Sequence, residues 1–307
     1  GRNPNAEGHL PVGLDGSCNG LQHFSAMLRD EVGAKATNLI DSETPEDIYG
    51  DVADVTTRKL KILAKGGCAF AKIWLQVGIN RKLAKKPVMT LPYGATQSSA
   101  REAVLDYVQD NWDKFGNLPV EYQWIMAKYL TPILWRAIGQ IVVAARQAMD
   151  WLQKSIPNDF VKWMTPLNFP VYQNYASLPT IKVITQLEGK VTLRVADDNK
   201  NIGVSKKSAQ RSGIAPNFVH SLDSTHMVMT ILDAKLDSYA MIHDDFGTHA
   251  ADTEKLFKAI RIAFFKLYNT FDPLEDWADQ LGVDKETLPK TGTFNIDSIH
   301  SAKYFFG

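Results

Sequence analysis

The chain of 307 residues carries 34 basic and 34 acidic side chains, so its formal net charge is zero. That balance excludes a protein whose affinity for nucleic acid rests on bulk charge, and local clusters have to carry any such affinity. Two cysteines, Cys18 and Cys68, exclude a disulfide framework and a cysteine-rich zinc motif, and no apolar run approaches the ~18 residues that span a bilayer. With no signal-peptide pattern at the start, these features predict a soluble intracellular protein of one large body or two domains. The sequence opens on Gly1, not Met, and reaches chemistry-bearing residues soon after, as a piece of a longer protein would.

In chain order, "PVGL" reads as a strand that delivers Asp15 into the small residues Gly16, Ser17 and Cys18. Two readings are open there: a turn in which Asp15 bonds its own backbone, or a carboxylate and a bare carbonyl brought close to a ligand. His23, on the helix-like stretch that follows, reads as a satisfied structural histidine. Residues 42–64 predict a helix, with Thr44 as cap, Pro45 at the first helical position, and Ile48, Val52, Val55 and Leu60 at helical spacing. Residues 68–94 predict a kinked or late-starting helix, because Pro87 and Pro92 each remove a backbone donor. On it Arg81 and Lys85 share a face, and Tyr93 falls about 120° round from Arg81 at about 100° per residue. With Lys86 they form either a solvated cationic face or a cradle for a triphosphate with a ring to stack on its base or sugar. There is no Walker loop and no G-x-G-x-x-G fingerprint.

Residues 100–113 and 121–155 predict helices, the second apolar enough to be buried. "IKVITQLEGKVTLRV" predicts a hairpin turning near Glu188 and Gly189, followed by a polar connector over 196–211. A helix is expected from near Pro216, two strands around Asp244 and Asp245 between residues 237 and 249, and a helix from Asp252 to about Phe271. The adjacent acids are either a solvated turn or half of a metal site. Magnesium needs one or two protein carboxylates completed by substrate phosphates, and two ions roughly 4 Å apart serve an in-line displacement. No internal repeat or low-complexity tract interrupts the chain.

Several of these stretches together resemble the bacteriophage-type single-subunit RNA polymerases. "DGSCNGLQHFSAMLRDE" is similar to that family's motif A, "RKLAKKPVMTLPYG" to motif B and "IHDDFGT" to motif C, in the family's order. "ETPEDIYG", "SGIAPNFVHSLDSTH" and the closing "FNIDSIHSAKYFFG" extend the likeness along essentially the whole chain. The resemblance implies an α+β, mostly helical fold: a right-hand polymerase palm and fingers with a small antiparallel catalytic sheet. Residues 1–32 would be palm, 33–220 fingers, and 221–307 the returning palm with a C-terminal foot. A promoter-binding N-terminal domain and a thumb would precede Gly1, and the isolated chain would lack processive, promoter-dependent transcription.

By the same resemblance Asp15 and Asp244 would hold two Mg2+ ions, helped by the carbonyl of Gly16. Arg81 and Lys85 would grip the incoming ribonucleoside triphosphate, with Lys85 the proton donor to pyrophosphate. Tyr93 would select ribose, His220 would contact the 2′-hydroxyl side, Tyr49 would neighbour the nucleotide, and His243 would orient the motif C hairpin. Asp245 departs from a pattern with a small polar residue there, and reads as a non-ligand acid. A hairpin at about 175–207 falls where the family reads promoters, which makes Lys182, Gln186, Lys190 and Arg194 DNA-contact candidates; an ordinary exposed hairpin is the alternative. The implied activity is transcription of phage genes from a DNA template and promoter into RNA, by a full-length monomer with no membrane association, in the cytoplasm of an infected bacterial host. Alternatives are a family A DNA polymerase, disfavoured by small residues after Asp15 where a bulky Glu usually blocks ribose, and a catalytically silent nucleic-acid-binding fragment.

Overall fold

A strand leads the chain into its longest continuous layer of helices. In this computed structural model residues 8, 10–177, 179–185, 191–197 and 203–307 are described. Strand β1 (Val12–Asp15) runs into α1 (Asn19–Met27), every residue of which is buried, and α2 (Glu31–Ala36) follows, capped by Asp30. Helix α3 spans Ile48–Lys65 and buries Val52, Thr56 and Leu60 on one stripe. It starts later than the Thr44–Pro45 signal predicts. The Asn38 side chain accepts from the Glu46 amide at 2.8 Å and donates to the Glu46 carbonyl at 3.1 Å, which holds that residue outside the helix. Asp47 is the cap instead, accepting from the Tyr49 amide.

The single helix expected over 68–94 is two: α4 (Ala69–Val77) and α5 (Arg81–Met89), separated at Gly78, whose φ of 87° favours glycine. Asn80 caps α5 by accepting from Leu83, and Tyr93 follows in a separate 3₁₀ turn over Leu91–Tyr93. Helix α6 (Gln97–Asp110) opens on a Thr96–Ser99 capping box. The expected 121–155 helix breaks at Val142, where ψ is 47°, into α7 (Tyr122–Ile141) and α8 (Val143–Ser155).

Two antiparallel hairpins follow, β2 (Val161–Met164) with β3 (Pro170–Gln173), and β4 (Thr180–Thr185) with β5 (Val191–Ala196). The second is the hairpin the sequence predicts; the turn expected at Glu188 and Gly189 lies outside the described residues. Helix α9 (Lys207–Ala234) begins nine residues before Pro216, which sits inside it. Proline removes the amide that would bond to the Ser212 carbonyl. That carbonyl lies against Gly94, where an added β-carbon would sit 3.2 Å from it, so the turn after α5 packs onto the helix where its ladder is interrupted.

Strands β6 (Ala240–Ile242) and β7 (Asp245–Thr248) form a hairpin, and β1 pairs with β7 on its other side, giving the order β1-β7-β6. Leu14 and Phe246, paired across this sheet, face a core with Phe306 and His226, while Asp15 and Asp245 leave the opposite face. Helices α10 (Thr253–Thr270) and α11 (Pro273–Leu281) complete the fold. The tail returns to the sheet: Asp15 and Gly307 exchange backbone hydrogen bonds of 3.2 and 3.1 Å. Among the described residues no helix is long and apolar enough to cross a membrane.

Candidate active site

Asp15 ends β1, and Asp244 occupies the two-residue turn between β6 and β7. The Gly16 amide donates to the Asp244 carbonyl at 3.3 Å, joining the two acid-bearing segments through their backbones. Although Asp15 is exposed by area, the packing around its carboxyl raises its pKa, the charges of Asp244 and Asp245 raise it further, and the Gly16 amide and Lys85 oppose the rise. Three acids thus crowd one edge of the sheet, where neutralisation by a hard cation is favourable. The Gly16 carbonyl already accepts from the Cys18 amide at 2.9 Å, which leaves one lone pair for a ligand. Asp245 is set apart. Its carboxylate leans over Gly13, where an added β-carbon would sit 2.3 Å from Oδ1, and it does not line the cleft that Asp15 and Asp244 share.

That cleft, of about 720 Å³, is walled by Asp15, Gly16, Tyr49, Arg81, Lys85, Tyr93, His243 and Asp244. Helix α5 supplies the wall opposite the acids, with Arg81 and Lys85 one turn apart. Arg81 Nε donates to Asp47 Oδ2 at 2.9 Å, and its guanidinium lies 5.0 Å from the Tyr49 ring centroid. This arrangement leaves both terminal guanidinium nitrogens for a ligand. Tyr49 is buried beside Cys18, whose thiol burial pushes up to about 11.

Tyr93 reaches the cleft from the 3₁₀ turn rather than from the α5 face the spacing suggests. Its ring stacks on His220 at 4.6 Å with 17° between planes, and His243 meets both rings edge-on. The close approach needs Gly20: a β-carbon there would sit 2.8 Å from Pro92 and 3.1 Å from the Tyr93 ring. His220 stands behind Tyr93 and lines a neighbouring groove with Tyr172 and Val228.

Beneath the turn lies a polar cluster that the sequence reading missed. Asp223, 4% exposed, accepts from Asn19 Nδ2 at 2.6 Å, binds His243 Nδ1 with its other oxygen, and lies 3.6 Å from His23 Nε2. Burial works against its charge, but the neighbouring His23 and His243 imidazoles hold its carboxyl well below the usual range. His23 is structural as expected, with Nδ1 at 2.5 Å from the Tyr268 hydroxyl. His23, Asp223 and His226 offer ligand atoms within 4.8 Å of one another. Both Asp223 oxygens are already engaged, and His226 Nε2 is bound to the Ile260 carbonyl, whereas His23 Nε2 and His226 Nδ1 are buried without a hydrogen-bond partner among the described residues. The available signal for Asp223 was an acid three residues after His220 and three before His226, on one turn of helix with each. Asp47 was missed as well, hidden within the expected capping turn.

On the β4–β5 hairpin Lys182 and Arg194 are cross-strand partners and share one face. Ile181, Val183, Leu193 and Val195 form the other face and are exposed. Gln186 and Lys190 lie outside the described residues. Like charges directly opposite each other repel, so the Lys182–Arg194 pair favours an anion between them.

Paired carboxylates face paired cations across one cleft, on a sheet edge backed by a helical layer, an arrangement suited to a hard cation and an anionic ligand together. The chain matches the family model described as DNA-dependent RNA polymerase over residues 3–286, and it belongs to that family, in its phage-type single-subunit branch. It is 36% identical to the DNA-directed RNA polymerase of Enterobacteria phage T3, over 97% of this chain and 40% of that protein. T7 RNA polymerase of Escherichia phage T7 is 34% identical with the same coverage. The mitochondrial DNA-directed RNA polymerase of Mus musculus is 32% identical over 97% of this chain and 26% of its own length. The chain therefore spans about 40% of the phage relatives. The phage T3 alignment runs to 352 positions against 307 residues here, so that relative carries insertions within the matched region.

Proposed function

We propose that this chain is the catalytic portion of a polymerase that synthesises RNA on a DNA template from ribonucleoside triphosphates. In this reading residues 1–32 and 221–307 form the palm and foot, residues 33–220 the fingers, and β1-β7-β6 the catalytic sheet. The observation that carries it is the cleft itself, which gathers eight of the nine residues singled out from the motifs, with the ninth, His220, stacked on Tyr93.

Asp15 and Asp244, with the remaining lone pair of the Gly16 carbonyl, are the residues to hold Mg2+, and the crowding that raises the Asp15 pKa supports a cation there. Two bound ions would supply charge neutralisation at the attacking and leaving oxygens. Arg81 and Lys85 bind the triphosphate from the α5 wall and fix its α-phosphorus for in-line attack by the RNA 3′-hydroxyl. The new bond joins that oxygen to the α-phosphorus as its hydroxyl proton passes to solvent water, the bond to the β-phosphate bridge breaks, and Lys85 Nζ delivers a proton to the departing pyrophosphate. Tyr93 presents its hydroxyl to the sugar, backed by His220, with Tyr49 as the floor under Arg81. His243 orients the turn. The Lys182–Arg194 face of the hairpin, with Gln186 and Lys190, meets DNA. The polymerase so described is a monomer that transcribes phage genes from a promoter in the cytoplasm of an infected host.

Primer extension on a DNA template by the natural polypeptide carrying this chain tests the reading. Ribonucleotides are expected to be incorporated in preference to deoxyribonucleotides, because Gly16, Ser17 and Cys18 after Asp15 leave room for a 2′-hydroxyl. A strong preference for deoxyribonucleotides would move the chain to the DNA polymerases, and no extension with either would leave a silent binding module.

A further inference from the structure

The buried carboxylate of Asp223 has no task in the mechanism above, yet its partners come from both acid-bearing segments. Asn19, whose Nδ2 it binds at 2.6 Å, opens the helix that follows Asp15; His243, held by its other oxygen, precedes Asp244 in the β6–β7 turn. His243 has a φ of 54°, a left-handed conformation that a residue with a β-carbon keeps only when its surroundings fix it. With Nδ1 bound, the ring's Nε2 lies 3.8 Å from Asp244 Oδ1. Asp223 itself cannot move aside easily, being 4% exposed in the middle of α9.

We infer that Asp223 is a positioning residue: by binding His243 with one oxygen and Asn19 with the other, it ties the Asp244-bearing turn to the segment that carries Asp15 and so fixes the spacing of the two carboxylates. The inference rests on the polymerase reading. It needs a carboxylate because both oxygens act as acceptors. An amide in its place turns one acceptor into an NH2 donor facing another donor, either Asn19 Nδ2 or His243 Nδ1–H. Accommodating it requires the His243 imidazole to change tautomer or the Asn19 amide to turn over, and either exchange replaces a charge-assisted contact with a neutral one.

The test uses the natural polypeptide that carries this chain, with single-nucleotide addition followed at varied Mg2+. Asp223→Asn is expected to slow addition by about 10- to 100-fold, as for residues that orient metal ligands, and to raise the Mg2+ concentration for half-maximal rate severalfold. The KM for nucleotide and the affinity for primer–template should stay within about threefold, since no contact with either is removed. His243→Ala removes the same tie from its half-exposed end and keeps the question open to measurement if Asp223→Asn fails to fold. The double variant should be no more than about threefold slower than the slower single one, because both break one connection. Additive losses, or a slow Asp223→Asn enzyme whose Mg2+ dependence is unchanged, would assign Asp223 to folding alone and overturn the inference. Asp244→Asn run alongside separates the two levels: at wild-type rate it sinks the polymerase reading, whereas its loss of activity beside an unaffected Asp223→Asn sinks only the positioning role.

Discussion

Asp15 faces Asp245 directly across the β1–β7 ladder, so both carboxylates leave the same face of the sheet, yet only Asp15 turns into the cleft. Asp245 leans over Gly13, a position with no β-carbon to push it back. Its neighbour Asp244 shares the cleft with Asp15. In the proposed reading the two adjacent acids have different work, with Asp245 acting on the site through its charge on Asp15. Asp245→Asn is expected to keep nucleotide addition within about fivefold of wild type, the scale of a solvent-screened charge effect. Steady-state extension assays check this, and a loss of several orders of magnitude would make Asp245 a ligand.

Tyr93 lines the cleft with its ring stacked on His220, and its hydroxyl is the one polar atom of that side chain. Tyr93→Phe retains the stack on His220 and removes the donor. Discrimination between ribo- and deoxyribonucleotides should fall by about tenfold, one hydrogen bond's worth, with little change in the rate on ribonucleotides. Competition between the two substrates on one template measures the ratio, and an unaltered ratio would remove Tyr93 from sugar selection.

Arg81 and Asp47 form an exposed pair, and Asp47 engages only Nε of the guanidinium. Asp47 therefore aims Arg81 without competing for its terminal nitrogens. Arg81→Ala should raise the KM for nucleotide by about 10- to 100-fold, the value of a charge-assisted phosphate contact. Asp47→Ala should raise it by less than about fivefold, since exposed pairs contribute at most about 1 kcal/mol. The reverse order of effects would show that Asp47, not Arg81, is the group that matters.

Burial holds His226 neutral, with its pKa lowered from 6.5 to about 3. The unfolded chain binds a proton below about 6.5 that the folded chain refuses until about 3, so stability falls as pH drops through that window. By pH 5 the loss from this residue alone is about 2 kcal/mol. His226→Gln, which can still donate to the Ile260 carbonyl, should show a shallower decline in unfolding midpoint between pH 7 and pH 5 than the wild type. Parallel declines would place the acid sensitivity elsewhere.

Local patterns made much of this molecule legible before its structure. "IHDDFGT" carried its hairpin, "RKLAKKP" its cationic face, and the helices expected over 100–113 and 252–271 lie within a few residues of α6 and α10. What failed was decided by contacts distant in sequence. The Thr44–Pro45 signal lost to Asn38, which occupies the Glu46 backbone from eight residues away. Pro216 did not start a helix because Gly94 receives the interrupted stretch of α9. Asp223 looked like one more helical acid, since its partner Asn19 is 204 residues away. The motif residues were visible singly, while the means of holding them together was not.

The central claim is that Asp15 and Asp244 form one cation-holding pair at the end of the sheet. Replacing Asp244 with Asn in the natural polypeptide, and measuring single-nucleotide addition together with primer–template affinity, tests it most directly. Addition is expected to fall by about three orders of magnitude or more, because charge stabilisation of the transition state is lost, while affinity for the nucleic acid changes by no more than about threefold. Addition at near the wild-type rate would contradict the account.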